Sequence, residues 1–279
     1  MALAANGQPT EIAIIGLGAW GSALALYCAR LGHSVTAWHR DETYVASLRA
    51  AQEIAVTKDY CAPLPNNLHI TSDLTKVRSQ PLTIVALPAS AWPEVLPTLQ
   101  PAGLVISASK GLEKDTHTTP LTWAHRTLGI PHEKLCVISG PSFARDLAKQ
   151  TPISLVAASR SINTATTVAT ALSSSAVRLY LSTDPLGVEL GGILKNVIAI
   201  AVGISDSLGY GPSTRAALIT RGLAEITRIA VSLGAQQQTL SGLSGLGDLV
   251  MTATDDQSRN RIVGLCLGRG EKLDTILTN

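Results

Sequence analysis

Short apolar runs alternate with helical stretches over the first two thirds of the chain. Strands are predicted at 11–16, 34–38, 68–71, 83–87, 104–108, 135–139, 153–157 and 177–181. Several are unbroken apolar runs (IAIIG, TIVAL, LVISA, LCVIS) rather than alternating ones. Such runs suit strands covered by helices on both faces, as in a parallel sheet. The repeated strand–helix–strand order predicts an open α/β sheet. After Thr183 the pattern changes. Asp184-Pro185 reads as an N-cap with proline at the first helical position. Leu186, Leu190, Ile193, Leu194, Val197, Ile198, Ala201 and Val202 then recur at helical spacing. A second helix is expected from about Thr214 to Leu233, ended by Gly234. A glycine-rich loop, SGLSGLGD, follows, and a third helix from about Ser258. The expected organisation is an α/β domain over 1–183 and an all-α domain over 184–279.

Composition narrows the class. The chain has 279 residues, 46% hydrophobic and 15% charged, which excludes a disordered polymer. A net charge of +2 argues against nucleic acid as a partner but leaves room for a local basic pocket for a phosphorylated small molecule. Cys28, Cys61, Cys136 and Cys266 have no CxxC spacing. They read as buried small apolar side chains in a reducing cytosol, with no metal site. The start, MALAANGQPTE, has neither a basic region nor a long apolar stretch, so no secretory leader is expected. The longest apolar run, 197–204, is interrupted by Gly203 and falls short of the ~20 residues of a membrane span. A soluble, cytoplasmic protein without membrane insertion is expected.

The first strand runs into Gly16-Leu17-Gly18-Ala19-Trp20-Gly21, which opens a helix expected over 22–31. Strand, GxGxxG and helix in that order are a dinucleotide-binding fingerprint. The first glycine permits the turn, the second lets backbone approach a pyrophosphate, and the third lets helix and strand pack. The sheet is therefore expected to be Rossmann-like, doubly wound and mostly parallel. About 20 residues on, where NAD sites place a carboxylate, the second strand ends in His39-Arg40. An arginine there can pair with a 2′-phosphate. NADP(H) is expected to be preferred, with NAD(H) also accepted. One residue of register error would put Asp41 in that seat instead.

Five further segments carry candidate chemistry. Lys110 follows the strand at 104–108, at the sheet edge where ligands bind; by position alone it reads equally as a surface lysine. Ser139-Gly140-Pro141-Ser142-Phe143-Ala144 leaves the next strand and reads as a turn or as donors to a polar ligand. Lys195 lies in GGILKNVI, inside an apolar helix. Its side chain leans back over Gly191 and Gly192, each costing roughly 1 kcal/mol mid-helix, which makes sense if a substrate or nicotinamide fills the gap. Burial there would lower the lysine's pKa toward a working acid/base, unless the amine snorkels to solvent. Asp248 ends the glycine-rich loop. Ser258, Arg259 and Asn260 start a helix and suit a phosphate, or a plain helix cap.

Together these segments resemble the bacterial-type NAD(P)-dependent glycerol-3-phosphate dehydrogenases. The resemblance runs from about Glu11 to Gly270 through IGLGAWGSALA, ASKGLE, ISGPSFARDLA, LGGILKNVIAIAVGISDSLGYG, ALITRGLAEITRIA, GLSGLGDLVMTAT and QSRNRIVG. It implies that Lys195 is the catalytic acid/base. It implies that Lys110, Gly140, Ser142, Lys195, Asp248, Ser258, Arg259 and Asn260 hold glycerol 3-phosphate. Ala19, Trp20, His39, Arg40, Lys110, Ala144 and Arg259 match positions that touch the cofactor, beside Gly16, Gly18 and Gly21 of the fingerprint. Many members have serine where this chain has Ala19, and members usually continue for some tens of residues past the point matching Asn279. The implied reaction is reversible hydride transfer between NAD(P)H and dihydroxyacetone phosphate, giving sn-glycerol 3-phosphate for phospholipid synthesis, and it leaves room for a homodimer. The alternatives are a β-hydroxyacid or ketopantoate-type dehydrogenase of the same plan, and a non-catalytic NADP-binding or redox-sensing protein.

Overall fold

A computed structural model describes residues 8–278; residues 1–7, where the leader was sought, lie outside the described residues. The chain divides into two compact units. One holds the residues up to Ile138 with Ser142–Pro185, the other Ser139–Pro141 with Leu186 onward.

The first unit carries β1 (Glu11–Ile15), α1 (Ala19–Arg30), β2 (Ser34–Trp38), α2 (Glu42–Ala51), β3 (Glu53–Thr57), β4 (Tyr60–Pro63), β5 (Leu68–Thr71), β6 (Leu82–Val85), α3 (Trp92–Leu99), β7 (Leu104–Ser107), α4 (Pro120–Leu128), β8 (Leu135–Ser139), α5 (Ala144–Ala148), β9 (Ile153–Ala158), α6 (Ile162–Leu172) and β10 (Val177–Ser182). Eight strands form one sheet in the order β10-β9-β8-β7-β6-β1-β2-β5. β1 pairs in parallel with β2 on one side and β6 on the other. From β1 the chain winds out through β2 to β5, then returns to β6 and winds the other way. That reversal is the topological switch point, where open α/β sheets bind ligands beyond the carboxyl ends of their strands. The loop after β1 sits there. Ile12, Ala13, Ile14 and Ile15 are all fully buried, as continuous apolar strands in a covered sheet should be.

All eight predicted sheet strands are present. β1 stops one residue early because Gly16 takes φ +102°, and α1 begins at Ala19 rather than Ser22. The sequence reading missed β3 and β4, an antiparallel pair with a bulge between Ala55 and Thr57. The hairpin buries Ile54 and Val56 and carries Cys61, which is exposed, while Cys266 is half-buried. The expectation that every cysteine is buried therefore holds only for Cys28 and Cys136, whose thiols burial pushes up to about 12.

The second unit is built on α7 (Pro185–Ser207), with α8 (Pro212–Ser232), α9 (Gln237–Leu240), α10 (Asp248–Thr254), α11 (Arg259–Gly268) and α12 (Leu273–Thr278). Leu190, Val202, Ile226, Ala230, Leu240, Leu249 and Ala253 form its core. The expectation that no segment is long enough for a membrane needs correcting. α7 is 23 residues long, and its most apolar stretch of 18 has a mean hydropathy of 1.6, so it is long and apolar enough by length and composition. Further apolar residues, among them Leu186, Leu190, Ile193 and Leu194, lie on the other side of Lys195-Asn196, and 56% of the helix's most apolar stretch is buried inside the fold, as in a core helix.

α7 and α11 meet backbone to backbone. A Cβ on Gly264 would lie 2.2 Å from the Ile200 carbonyl oxygen, and one on Gly203 2.3 Å from that of Arg261. Backbone cannot yield as a flexible side chain can. Gly264→Ala is therefore expected to cost about 1–3 kcal/mol, read as a lower urea midpoint; an unchanged midpoint would contradict the close crossing.

Candidate active site

In the first unit the glycine loop has the geometry of an anion cradle. A Cβ on Gly21 would lie 1.8 Å from the Gly16 carbonyl oxygen, so only glycine lets α1 pack there. A Cβ on Gly18 would meet nothing within 4 Å, which leaves open space over the helix start. Gly18 is the N-cap of α1, with no side-chain cap bond and no acidic residue in the first turn. Free N–H groups and the positive end of the helix dipole thus face that space. Ala19 is exposed and Trp20 half-buried beside them.

At the end of β2, Arg40 is exposed and His39 half-buried. Asp41 is committed elsewhere: it caps α2, accepting from the Tyr44 N–H at 3.1 Å. His39 Nδ1 accepts from the Asp41 N–H at 3.2 Å and its ring meets Tyr44 edge-on at 4.8 Å. The carboxylate that could have replaced Arg40 is thereby turned into the helix cap.

Lys110 is exposed, and the loop that carries it is braced on both sides. Ser109 accepts from Trp92 Nε1 at 2.9 Å and donates to the Val85 carbonyl at 3.1 Å. Glu113 accepts from the Thr116 hydroxyl and from the Asp115 and Thr116 N–H groups. These bonds, the Thr116 hydroxyl foremost, hold its carboxyl down at about 2. Neither brace was singled out from sequence. Ser142 and Ala144 lie half-buried at the start of α5.

In the second unit Lys195 is the buried centre. It is 4% exposed and Asp248 0%. Lys195 Nζ donates to the Asp248 carboxylate in a short ion pair and to Thr252 Oγ1 at 2.6 Å. The amine does not snorkel to solvent. Asp248 opens α10 and Thr252 lies one turn further along, so one helix face offers both oxygens. The adjacent carboxylate compensates the ammonium's charge, so the amine is not an isolated buried ion. Thr252 was missed; its place four residues after Asp248 was the available signal.

Two further expectations change. The segment before Asp248 is not a flexible loop: Leu243–Gly247 is a π-helical turn running straight into α10. Gly191 does not leave a ligand-sized gap either, because a Cβ there would lie 2.5 Å from the Ser244 carbonyl oxygen. The glycine lets the π-turn press against α7, which brings Asp248 to Lys195. Gly192 is buried, and nothing further accounts for it.

α11 presents the remaining candidates. Ser258 caps it, accepting from the Arg261 N–H at 3.2 Å. Asn260 Nδ2 donates to Asn196 Oδ1 of α7 at 2.9 Å, and Arg259 is exposed. Gly140 is buried at φ +147°, with Pro141 packed against Gly247. Lys195, Asp248 and Asn260 thus gather around α7 within one unit, and Ser258 caps the helix that carries Asn260. Among the described residues no group of three or more His, Cys, Asp or Glu could hold a metal ion.

The chain matches the family models described as NAD-dependent glycerol-3-phosphate dehydrogenase N-terminus, over residues 11–165, and C-terminus, over residues 184–279. It is 46% identical to a glycerol-3-phosphate dehydrogenase [NAD(P)+] of Thioalkalivibrio sulfidiphilus, over 97% of this chain and 82% of that one. It is 44% identical to one of Syntrophotalea carbinolica, over 96% and 82%. Its fold matches the crystal structure of glycerol-3-phosphate dehydrogenase from Coxiella burnetii with a TM-score of 0.88 and 38% identity, over 97% and 83%.

Asp248→Ala removes the carboxylate beside a buried ammonium and is expected to cost about 3–5 kcal/mol. Replacing both partners by apolar residues, Lys195→Met with Asp248→Leu, should cost less. Equal losses in denaturant titrations of the two would contradict the pairing.

Proposed function

The chain belongs to the NAD-dependent glycerol-3-phosphate dehydrogenase family, and we propose that Lys195 is the acid/base through which it works. It is an oxidoreductase that transfers hydride reversibly between NAD(P)H and dihydroxyacetone phosphate, giving sn-glycerol 3-phosphate, a phospholipid precursor. The observation that supports the role of Lys195 is its amine, held out of water between a carboxylate and a hydroxyl on α10.

When bound, the reduced nicotinamide supplies the hydride. The open, acid-free start of α1 fits its pyrophosphate. Gly16, Gly18, Ala19, Trp20 and Gly21 frame that part, Ala19 through its backbone. His39 and Arg40 take the adenosine end, and Arg40 can clasp a 2′-phosphate because Asp41 is occupied as a cap. NADP(H) is therefore preferred, with NAD(H) also accepted. Lys110, Ala144 and Arg259 complete the cofactor contacts.

As the substrate's C2 carbonyl is reduced, its oxygen gains negative charge. The Lys195 ammonium stabilises that charge and then delivers the proton. Asp248 and Thr252 fix the direction of Nζ before reaction, so little reorganisation is needed when charge develops. Ser258, Arg259 and Asn260, with Lys110, Gly140 and Ser142, hold the phosphate and hydroxyls and turn their binding into orientation of C2. Residues 1–183 serve chiefly the cofactor, lending Lys110, Gly140 and Ser142 to the substrate, and 184–279 serve chiefly the substrate and proton, lending Arg259 to the cofactor. The substrate is a small molecule. A cytoplasmic location and assembly as a homodimer are part of this reading.

Lys195→Ala should bind NADPH normally yet oxidise it with dihydroxyacetone phosphate about a thousandfold more slowly or worse; near-normal turnover sinks the assignment. Arg259→Ala should raise KM for dihydroxyacetone phosphate by about tenfold or more. An unchanged KM would favour a related hydroxyacid or ketopantoate-type reductase.

A further inference from the structure

The first turn of α11 carries Ser258, Arg259 and Asn260, so whatever places that turn places the phosphate grip. The next residue, Arg261, is 7% exposed and reaches three separate segments. Its Nη1 donates to the Asp206 carboxylate on α7 and, at 3.3 Å, to the Ala253 carbonyl in the last turn of α10. Its Nε donates to Asp256 Oδ1 at 3.0 Å, in the turn joining α10 to α11. Asp206 is clasped a second time by Arg215 of α8, at 3.1 and 3.0 Å. Burial pushes the Asp206 carboxyl up, but the hydrogen bonds and charges of Arg261 and Arg215 outweigh it and hold the group below the usual carboxylate range.

Asp206 lies about three helical turns beyond Lys195 on α7, which returns it to nearly the same helix face. One face of a single helix thus ties down α10 through Lys195 and α11 through Asp206. For stability alone, an apolar pair of similar volume would serve as well as a buried ion pair. An apolar pair cannot, however, hold three backbone segments in fixed directions, as a planar five-donor guanidinium does.

The geometry points to Arg261, with Asp206 and Asp256, as a positioning device that fixes the phosphate-holding turn of α11 relative to Lys195. This rests on the functional reading above. Arg261 touches no substrate; it acts through Ser258, Arg259 and Asn260.

The test uses the full chain, with steady-state reduction of dihydroxyacetone phosphate and calorimetric binding of glycerol 3-phosphate. Asp256→Ala removes a largely exposed carboxylate, with 81% of its side chain accessible, so the fold is kept. Arg261→Lys retains a cation for Asp206 but, with one point charge, cannot span to Asp256 and Ala253 as well. The expected result is KM raised about threefold by Asp256→Ala and about tenfold by Arg261→Lys, with kcat within about twofold and weaker glycerol 3-phosphate binding in step. In an Arg259→Ala background, Asp256→Ala should change KM by less than about twofold, because the charged member of the three groups it positions, which grips the phosphate most strongly, is gone. A lowered thermal midpoint with unchanged KM, or the full penalty persisting in the Arg259→Ala background, overturns the inference alone. A wild-type chain that neither oxidises NADPH with dihydroxyacetone phosphate nor binds glycerol 3-phosphate overturns the functional reading and this inference together.

Discussion

An ammonium group in the interior of a helical unit needs an opposite charge within reach, and the second unit is arranged around supplying one. Lys195 sits in a buried stretch of α7, where an isolated charge would be expensive to keep. Asp248 meets it, and Thr252 adds a hydroxyl from the next turn. To bring Asp248 there, the chain before it closes into a π-turn, and that turn touches α7 at Gly191, where no side chain intervenes. Gly191 and the Ser244-Gly245 backbone before Asp248 are thus parts of one contact. The same buried pairing that removes the amine from water also aims it, which is what a proton donor to a developing alkoxide requires.

α7 extends this logic along its length. Lys195 engages α10, Asn196 engages Asn260, Gly203 lets α11 cross at backbone distance, and Asp206 holds Arg261. Polar ties alternate with close small-residue contacts, so the partner helices have little freedom to slide. The first unit solves a different problem. It leaves a helix start bare of acids and side-chain caps, and places it at the point where strand order reverses. One unit satisfies a buried charge internally; the other keeps a partial charge available for an external phosphate.

Much of this was legible in the sequence. Several of the eight sheet strands were visible because a doubly covered sheet demands unbroken apolar runs such as IAIIG or LCVIS, and the regular strand–helix alternation placed the others. Lys195 stood out as a single charge in an apolar helix, and the glycine fingerprint carried its own context. The hairpin of β3 and β4 was missed because EIAVT and YCAP are short, bulged and poor in strong turn residues. Thr252, Asp206 and Arg261 were missed for another reason: their partners are distant in sequence, and each residue alone looks like an ordinary helical polar position. Gly191 was noticed but misread, since a sequence shows that a gap is needed and not what fills it; the backbone of Ser244 does.

The central claim is that the Lys195 ammonium is the proton donor in ketone reduction. The alkaline limb of the kcat/KM profile for dihydroxyacetone phosphate reads it most directly, comparing the wild-type chain with the slow residual reaction of Lys195→Ala. A general acid must be protonated to act, so the wild-type rate should fall at high pH as the ammonium is lost, and the residual rate should lack that fall. An identical alkaline limb in both proteins would assign the proton to another group and contradict the account.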